Sequence, residues 1–294
     1  MYYDLTAAEY DIHHAPGPSP ARRSYVLCSN ARSGSTLLSE GLHATGRLGS
    51  PIEYFDGTDA MCAMVERWGC RDLRCYVDCL HRRRATCEGV LGAKVHWYQL
   101  QEVALILGQD PLPGVHGRER GALKALFPAP QFVFVVRRDR DRQAVSWAIA
   151  EQTGLWTDLG NTGTPPAVPY DYDTIDDCRR RINAAEQGWT ELFRAWGTEP
   201  LTVTYEQLVD DYRGTVGQVV RYLGVDLDPA GLPEPRLRKQ ANEHSERLVE
   251  RYLEERAARR AEPGSQPPLR GTGLFEDSHP STLITPARAA SPAL

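Results

Sequence analysis

The stretch YVLCSNARSGSTLL, residues 25–38, decides the fold. It opens with four residues of strand character and continues, from Leu37, into a run compatible with a helix. Between them lies a short polar turn that contains Gly34. A strand, a glycine-containing turn and a helix in this order present free backbone N–H groups at a helix N-terminus, where the helix dipole also favours an anion. The stretch therefore predicts a phosphate-binding loop.

This loop lacks the lysine of a Walker A motif. Gly34 is followed by Ser35 and Thr36, and the cation is Arg32, which precedes Ser33. An arginine can bridge two anionic oxygens, and the three hydroxyl groups add donors. A magnesium-bound triphosphate is poorly supported, because that ligand requires the lysine next to a hydroxyl residue. On these residues alone, a polar turn that caps a helix remains the alternative.

Strands and helices alternate along the rest of the chain. Residues 89–95 and 201–205 are predicted strands, and 131–136 is a β-branched and aromatic run typical of a strand buried on both faces. The main helices are expected at 63–80, 143–152, 174–196 and 206–223. This alternation predicts an α/β fold: a P-loop-type parallel sheet flanked by helices on both faces, in a single domain.

The domain boundaries follow from composition. Residues 1–23 include a proline-rich stretch and are predicted to be an irregular lead-in, followed by the domain at 24–256. An insert at 157–172 is expected to be flexible. After residue 257 the chain shifts to Ala, Arg, Pro, Ser and Gly, which predicts a mobile tail over 257–294.

Composition excludes some classes of function. The 294 residues include 34 basic and 39 acidic side chains, a net charge of −5, which argues against a nucleic-acid binder with a broad basic surface. A small anion in a local basic pocket is still compatible with this charge. No apolar run approaches the roughly 20 residues of a membrane helix, and the N-terminus lacks the pattern of a secretory signal. The cytoplasm is the predicted compartment.

Five of the seven cysteines fall between residues 62 and 87. They form no C-x-x-C pair, and no histidine stands at zinc-finger spacing. A helix over 63–80 would place Cys75 and Cys79 on one face. Buried small thiols are the favoured interpretation, with a metal or redox site as the alternative.

A second basic cluster follows the strand at 131–136. Arg137 and Arg138 end that strand, and Ser146 lies eight residues beyond Arg138 on the next helix. In a doubly wound sheet, ligands bind outside the carboxyl ends of the strands, where this cluster and the loop both fall. Two separate phosphate sites suit a ligand with two separated phosphates. The alternative is a solvated, self-paired charge cluster over 137–142.

With these motifs in place, the chain resembles sulfotransferases that use 3′-phosphoadenosine 5′-phosphosulfate (PAPS), most of all the bacterial trehalose 2-sulfotransferase family. The matches run in the family's order: NARSGSTLLSEGLHATGRLGSPIEYF (30–55), GAKVHWYQ (92–99), VFVVRRDRDRQAVSWAIAEQTGLW (133–156), EQGWTELF (186–193), VTYEQL (203–208) and KQANEHSERLVERY (239–252). The resemblance implies sulfuryl transfer to a hydroxyl of a sugar or glycosylated small molecule, without a metal, and a homodimer.

The resemblance also implies residue roles on the donor side. The loop would hold the 5′-phosphosulfate, with Arg32 and the backbone N–H groups of 33–36 stabilising the 5′-phosphate as it leaves. Arg138 and Ser146 would bind the 3′-phosphate. The segment around Gln240 and Asn242 would close over the nucleotide.

On the acceptor side, the family's general base matches Glu53. Its neighbours in the chain are apolar, so partial burial is expected to raise its pKa. Further candidates for the acceptor pocket are Lys94, Trp97, Gln152 and Trp156. Lys94 stands in a predicted strand and needs a partner, either the phosphosulfate or a nearby carboxylate. For Trp97, core packing is the alternative.

Two other functions remain open. One is a P-loop kinase or nucleotide hydrolase, which would need the lysine that the loop lacks. The other is a non-catalytic binder of adenosine bisphosphate, in which Glu53 and Arg32 would have no chemical role.

Overall fold

The computed structural model describes residues 5–13, 21–57, 59–108, 111–157, 167–226, 228, 231–237 and 242–261. In this part of the chain a single sheet contains four strands, all parallel, in the order β2-β1-β3-β4. They are β1 (Arg23–Ser29), β2 (Val90–His96), β3 (Pro130–Val136) and β4 (Leu201–Thr204). Each of the four predicted strands overlaps one of them, and the predicted parallel α/β fold is confirmed.

Helices cover both faces of the sheet. In chain order the described helices are α1 (Ser35–Ala44), α2 (Asp59–Trp68), α3 (Leu73–Arg84), α4 (Trp97–Leu107), α5 (Gly117–Leu126), α6 (Arg140–Thr153), α7 (Tyr172–Trp196), α8 (Tyr205–Asp210), α9 (Tyr212–Tyr222) and α10 (Glu243–Ala261). Alternate residues of β1 enter different cores: Leu27 packs with residues of α1 and α9, and Val26 with residues of α3, α4 and α7. This alternation is what a strand buried on both faces requires. None of the described helices combines the length and apolar composition needed to cross a bilayer.

Two predicted helices are each broken into two. The helix expected at 63–80 ends at Trp68, because Gly69 takes a left-handed φ of +67° and the Asp72 side chain caps a new helix. The helix expected at 206–223 is interrupted at Asp211, whose carboxylate accepts a hydrogen bond from the N–H of Gly214. Both predictions of an unbroken helix are wrong because a local side-chain cap competes with the helical hydrogen bonds.

The N-terminal segment packs on the domain rather than standing clear of it. Residues 8–10 form a short 3-10 helix. The buried guanidinium of Arg84 donates to the carbonyl of Leu5 at 2.6 Å and forms an ion pair with Asp11 at 3.0 Å. Residues 5–13 of the predicted lead-in are therefore irregular apart from this short helix, and they are held against the domain by these contacts.

The tail predicted at 257–294 and the insert predicted at 157–172 both include residues that the structure shows to be ordered parts of the domain. Helix α10 runs to Ala261, so residues 257–261 are helical rather than part of a tail. Val168 is buried and its N–H lies 3.3 Å from Nε2 of His244, so the end of the predicted insert is packed. Residues 158–166 and 262–294 lie outside the described part of the chain.

All four carboxyl ends lie along one edge of the sheet. The register pairs Ser29 with His96, and Val136 with Thr204, so the last residues of the strands stand side by side. The connections that leave this edge carry the phosphate-loop sequence, the arginine pair and the start of α4. In a parallel sheet, this is the edge at which ligands bind.

Candidate active site

The predicted phosphate loop is built as a helix N-terminus without a side-chain cap. Gly34 is the N-cap residue of α1, with φ +87°, and no side chain bonds the first turn. Arg32 is also left-handed, with φ +62°. A Cβ on Gly34 would lie 2.8 Å from Cδ2 of Tyr205, so both the backbone angle and the close approach require glycine. The uncapped N–H groups are therefore open to an anion.

A cavity of about 580 Å³ lies over this loop. Its size falls within the range of small-molecule sites. It brings together predicted site residues that are far apart in sequence: Arg32, Gly34, Ser35, Thr36, Ser146 and Trp156. Ser33 is not among them, because its side chain is buried under the loop.

Four arginines line this cavity; Arg142 and Arg213 form ion pairs with carboxylates, and Arg32 and Arg137 lie beside the loop. Arg32 Nε donates to Ser146 Oγ at 3.0 Å, and its guanidinium also donates to the carbonyl of Trp156. Burial, with the like charge of Arg137 beside it, lowers the pKa of Arg32 to about 10, which leaves it protonated at neutral pH. Arg137 lies 4.5 Å over the ring of Tyr205, and its buried Nε has no hydrogen-bond partner among the described residues. Neighbouring buried cations favour a bound anion.

The structure separates Arg137 from Arg138. Arg137 lines the cavity over the loop and also a second cavity, whereas the exposed side chain of Arg138 lines only the second of the two. The backbone N–H of Arg138 donates to Glu206 at 3.2 Å, which holds the turn. The resemblance to the family gave Arg138 with Ser146 as the 3′-phosphate site, which stays a prediction, and it did not include Arg137. Arg137 is an additional candidate, because adjacent residues at a strand end point to opposite sides and its side chain lines the cavity over the loop.

Glu53 and Lys94 meet between the loop and the end of β2. Lys94 Nζ lies 2.7 Å from Glu53 Oε1 and donates to Thr36 Oγ1 at 2.9 Å. The backbone of Lys94 also donates to the carbonyl of Ile52 at 2.9 Å, which fixes the segment that carries Glu53. The sequence-based expectation that Lys94 has a partner is met by this carboxylate. The ammonium group thus joins the phosphate loop to Glu53.

His96 and Gln99 complete this cluster, and sequence reasoning missed both. His96 Nε2 lies 3.4 Å from Glu53 Oε2, and its Nδ1 lies 3.0 Å from Ser29 Oγ. Gln99 Nε2 donates to the same carboxylate oxygen of Glu53 at 2.8 Å. The signal was present in the sequence, since His96 is two residues after Lys94 on one strand and therefore shares its face.

The expected rise in the Glu53 pKa is wrong. Burial does push its pKa upward, but the charges and hydrogen bonds of His96 and Lys94 outweigh burial and hold the pKa well below its usual value. The reason lies in tertiary contacts from β2, which a local reading of residues 52–55 could not include. Glu53 is therefore an ionised carboxylate at neutral pH.

Trp97 and Gln152 lie outside the cavity over the loop. Trp97 is buried, with its ring 5.1 Å from that of Trp189, and it fills the space that a Cβ on Gly188 would occupy. The structure therefore agrees with the alternative, core packing, for this residue. Gln152 is exposed in the last turn of α6. Trp156, by contrast, is 44% exposed at the cavity wall.

The predicted closing segment is only partly described. Asn242 Oδ1 accepts a hydrogen bond from the N–H of Ser245 at 2.9 Å, so this side chain caps α10 rather than lining the cavity. Its neighbours Ser245 and Glu246 do line the cavity. Gln240 lies outside the described residues.

Comparison with known proteins agrees with this geometry. The family model described as "Stf0 sulphotransferase" matches residues 24–255. The trehalose 2-sulfotransferase of Mycobacterium tuberculosis (strain ATCC 35801 / TMC 107 / Erdman) is 30% identical over 260 residues, which cover 81% of this chain and 97% of that protein. The trehalose 2-sulfotransferase of Mycolicibacterium smegmatis (strain ATCC 700084 / mc(2)155) is 30% identical over 259 residues, covering 78% and 94% of the two chains.

Two solved structures show weaker similarity. The sulfotransferase domain of the Synechococcus PCC 7002 olefin synthase has a TM-score of 0.44 and 15% identity, covering 82% of this chain and 98% of that one. Retinol dehydratase, in complex with androsterone and the inactive cofactor PAP, has a TM-score of 0.39 and 14% identity, with 82% and 81% covered. These similarities add nothing to the family assignment, which the family model and the two mycobacterial relatives establish. The chain belongs to the Stf0 sulfotransferase family and is a sulfuryl-transferring enzyme.

Proposed function

We propose that this enzyme transfers the sulfuryl group of PAPS to a hydroxyl group of a sugar or glycosylated small molecule. One observation carries the proposal: Lys94 Nζ contacts both Thr36 of the phosphate loop and the Glu53 carboxylate, at 2.9 and 2.7 Å. In-line transfer needs the donor site on one side of the reacting sulfuryl group and the base on the other. A cation between them can stabilise the charge that develops there. These three side chains supply that arrangement.

The residues around the cavity fit the donor. Its wall offers uncapped N–H groups, hydroxyl groups and guanidinium groups, among them those of Arg32 and Arg137. The buried Nε of Arg137, without a partner among the described residues, is a further donor for an anionic oxygen. The loop and Arg32 would hold the 5′-phosphosulfate. Arg137 and Ser146 would hold the 3′-phosphate, with Arg138 as the competing assignment.

Lys94 and Arg32 would stabilise the leaving group. Bound PAPS supplies an activated sulfuryl group, and negative charge develops on the oxygen that joins this group to the 5′-phosphate. Lys94 is buried and held by two partners, so its charge is already in position when that oxygen becomes more negative. With two cations at this point, we propose that the transfer step needs no metal.

Glu53 would accept the proton of the acceptor hydroxyl. The carboxylate is ionised, which is the form a base requires, but its depressed pKa makes it a weak base while Lys94 stays bound to it. As the leaving oxygen becomes more negative, Lys94 would interact more strongly with it and less strongly with Glu53, so the basicity of Glu53 would rise during transfer. His96, fixed by Ser29, would keep the carboxylate oriented.

A sugar acceptor is proposed from the names of the two mycobacterial relatives. Trp156 offers an exposed ring on the cavity wall, a surface suited to the apolar face of a sugar, and Gln152 an exposed amide on the preceding helix. We propose both as acceptor contacts, with trehalose as the first compound to test.

Calorimetry on the purified enzyme tests the donor. We expect adenosine 3′,5′-bisphosphate to bind without metal and ATP with Mg²⁺ to bind much more weakly. Arg137→Ala and Arg138→Ala form a matched pair, because they remove the same group from adjacent positions and only the first lines the cavity. A loss of binding confined to Arg137→Ala assigns the 3′-phosphate to it. A preference for Mg-ATP would replace this proposal with a kinase.

Turnover with PAPS tests the chemistry. Trehalose and a panel of other sugars, nucleosides and aminoglycosides would serve as acceptors, with product detected by mass spectrometry. Glu53→Gln should bind the bisphosphate normally and lose transfer. Undiminished transfer in this variant would overturn the assignment of the base. Bisphosphate binding without transfer to any acceptor would favour the non-catalytic binder.

A homodimer is proposed on the resemblance to the family alone, and the cytoplasmic location stays the prediction made from the sequence. Light scattering during gel filtration would measure the mass of the assembly. A mass of one chain at micromolar concentration would exclude the dimer under those conditions.

A further inference from the structure

Three cysteines between α2 and α3 converge. Cys70 lies in the connection after α2, and Cys75 and Cys79 lie four residues apart on α3. Their Sγ atoms all lie within 4.8 Å of one another, and each thiol is half-buried and free of a disulfide. Cys62 and Cys87, from the same cysteine-rich stretch, are exposed and do not join the group. Tertiary folding thus selects three of the five clustered cysteines.

The backbone holds these three positions from both sides. The N–H groups of Gly69 and Cys70 donate to carbonyls in the last turn of α2, each at 3.0 Å. On the other side, Asp72 caps α3 by accepting a hydrogen bond from the N–H of Cys75 at 2.8 Å. One helical turn then sets Cys79 beside Cys75. Because local hydrogen bonds fix the turn, the sulfurs are brought together before any ion binds.

We propose that Cys70, Cys75 and Cys79 bind one soft, thiophilic cation, with Zn²⁺ as the reference ion. Zn–S bonds of about 2.3 Å at tetrahedral angles place sulfurs about 3.8 Å apart, so side-chain shifts of about 1 Å suffice. In the described part of the chain no further His, Cys, Asp or Glu joins the group, so water would complete the coordination. Each thiol releases its proton to solvent as its S–Zn bond forms.

The site would stabilise the segment that carries Glu53. The hydroxyl of Tyr76, next to Cys75 on α3, donates to the carbonyl of Tyr54 at 2.8 Å. Tyr54 follows Glu53 in the chain, so α3 supports the segment that carries the carboxylate. An ion at the start of α3 would fasten this helix to α2. This role is separate from the transfer step and does not depend on the proposed donor or acceptor.

Metal titration of the reduced full-length enzyme tests the proposal directly. Zn²⁺ would be titrated under anaerobic conditions against a chromophoric chelator, and Co²⁺ would be added as a spectroscopic probe. We expect one equivalent of Zn²⁺ to bind, and Co²⁺ to give the thiolate-to-metal charge-transfer absorption of a sulfur-rich site. Zn²⁺ should also raise the midpoint of thermal unfolding.

Serine variants provide the matched comparison. Cys70→Ser, Cys75→Ser and Cys79→Ser should each weaken Zn²⁺ binding by more than about 100-fold, since losing a ligand costs more than losing a hydrogen bond to one. Cys62→Ser and Cys87→Ser remove exposed thiols outside the group and should bind like the wild type. Circular dichroism would verify that each variant folds.

Three results would overturn the proposal. They are the absence of Zn²⁺ competition, a Co²⁺ spectrum without thiolate bands, and equal binding in the control and cluster variants. A disulfide among these cysteines that resists treatment with reductant would be a fourth such result. The Co²⁺ spectrum of the wild type does not depend on how any variant folds.

Discussion

Replacing Gly34 with alanine would strain the phosphate loop in two separable ways. Its φ of +87° lies in the left-handed region, where a side chain costs about 1–2 kcal/mol. The added Cβ would also lie 2.8 Å from Cδ2 of Tyr205, and forcing an extra carbon into a packed site typically costs about 1–3 kcal/mol. We expect Gly34→Ala to lower the free energy of unfolding by about 2–5 kcal/mol.

Gly46→Ala is the control that isolates the contact with Tyr205. Gly46 is also left-handed, at φ +67°, but a Cβ there has no neighbour within 4 Å. It therefore reports the backbone cost alone, and the difference between the two variants measures the steric contribution, about 1–3 kcal/mol. Urea denaturation followed by circular dichroism gives both values, provided that the slope m is unchanged.

The same substitution should also weaken the donor site. The guanidinium carbon of Arg137 lies 4.5 Å from the centre of the Tyr205 ring. Displacing this ring would therefore also displace Arg137, which is one of the cations of the cavity. We expect folded Gly34→Ala to bind adenosine 3′,5′-bisphosphate at least about tenfold more weakly, a loss of about 1.4 kcal/mol. Equal destabilisation of the two glycine variants, or unchanged nucleotide affinity, would refute this account of the loop.

Other outcomes follow from the charges of the site. Lys94→Met should lower kcat and kcat/KM together by about 10²–10³-fold in steady-state assays, since the charge of Lys94 acts on the transition state. Lys124→Met, at an exposed position, is the control. An effect of Lys94→Met on KM alone would contradict this role. The depressed pKa of Glu53 implies a stabilising contribution that is complete above its unfolded pKa of about 4.3 and is lost as pH falls through the folded pKa. Urea midpoints should therefore fall more steeply below about pH 5 in the wild type than in Glu53→Gln, and parallel curves would argue against the ion pair. Ser146→Ala removes the hydroxyl group that accepts a hydrogen bond from Arg32 Nε. Calorimetry should show bisphosphate binding weakened about tenfold, and the transfer rate at saturating PAPS should be nearly unchanged. A large fall in kcat would instead assign Ser146 to the chemical step.

The cluster around Glu53 bears on its proposed role as the base. Lys94 forms an ion pair with this carboxylate and donates at 2.9 Å to Thr36 of the loop that would hold the sulfuryl group. His96 and Gln99 contact the other carboxylate oxygen. The pKa of Glu53 therefore depends on His96 and Lys94 together, and Lys94 is the one of the two that also contacts the loop.

Local sequence was sufficient for the features that depend on near neighbours in the chain. The run 25–38 predicted the strand, the loop and the helix because apolar periodicity and a glycine turn act over a few residues. The alternation of strands and helices was enough for a parallel sheet, and hence for a site at the carboxyl ends of the strands. The family motifs added Glu53, Arg32 and Ser146 as candidates.

Tertiary structure decided the features that depend on where a side chain points and on contacts with residues far away in the sequence. Arg137 and Arg138 are adjacent after β3, and in the folded chain Arg137 lies over the ring of Tyr205 and lines the cavity over the loop, whereas Arg138 does not. The pKa of Glu53 falls rather than rises because β2 brings Lys94 and His96 to this carboxylate. The sulfurs of Cys70, Cys75 and Cys79 lie close together because a capped turn joins α2 to α3. Sequence by itself determined the parallel α/β fold and the edge at which the ligand binds, since both follow from short-range periodicity. The placement of Arg137 and Arg138, the ionisation of Glu53 and the convergence of the thiols required the folded chain, because charges and side chains interact through space between residues that the sequence keeps apart.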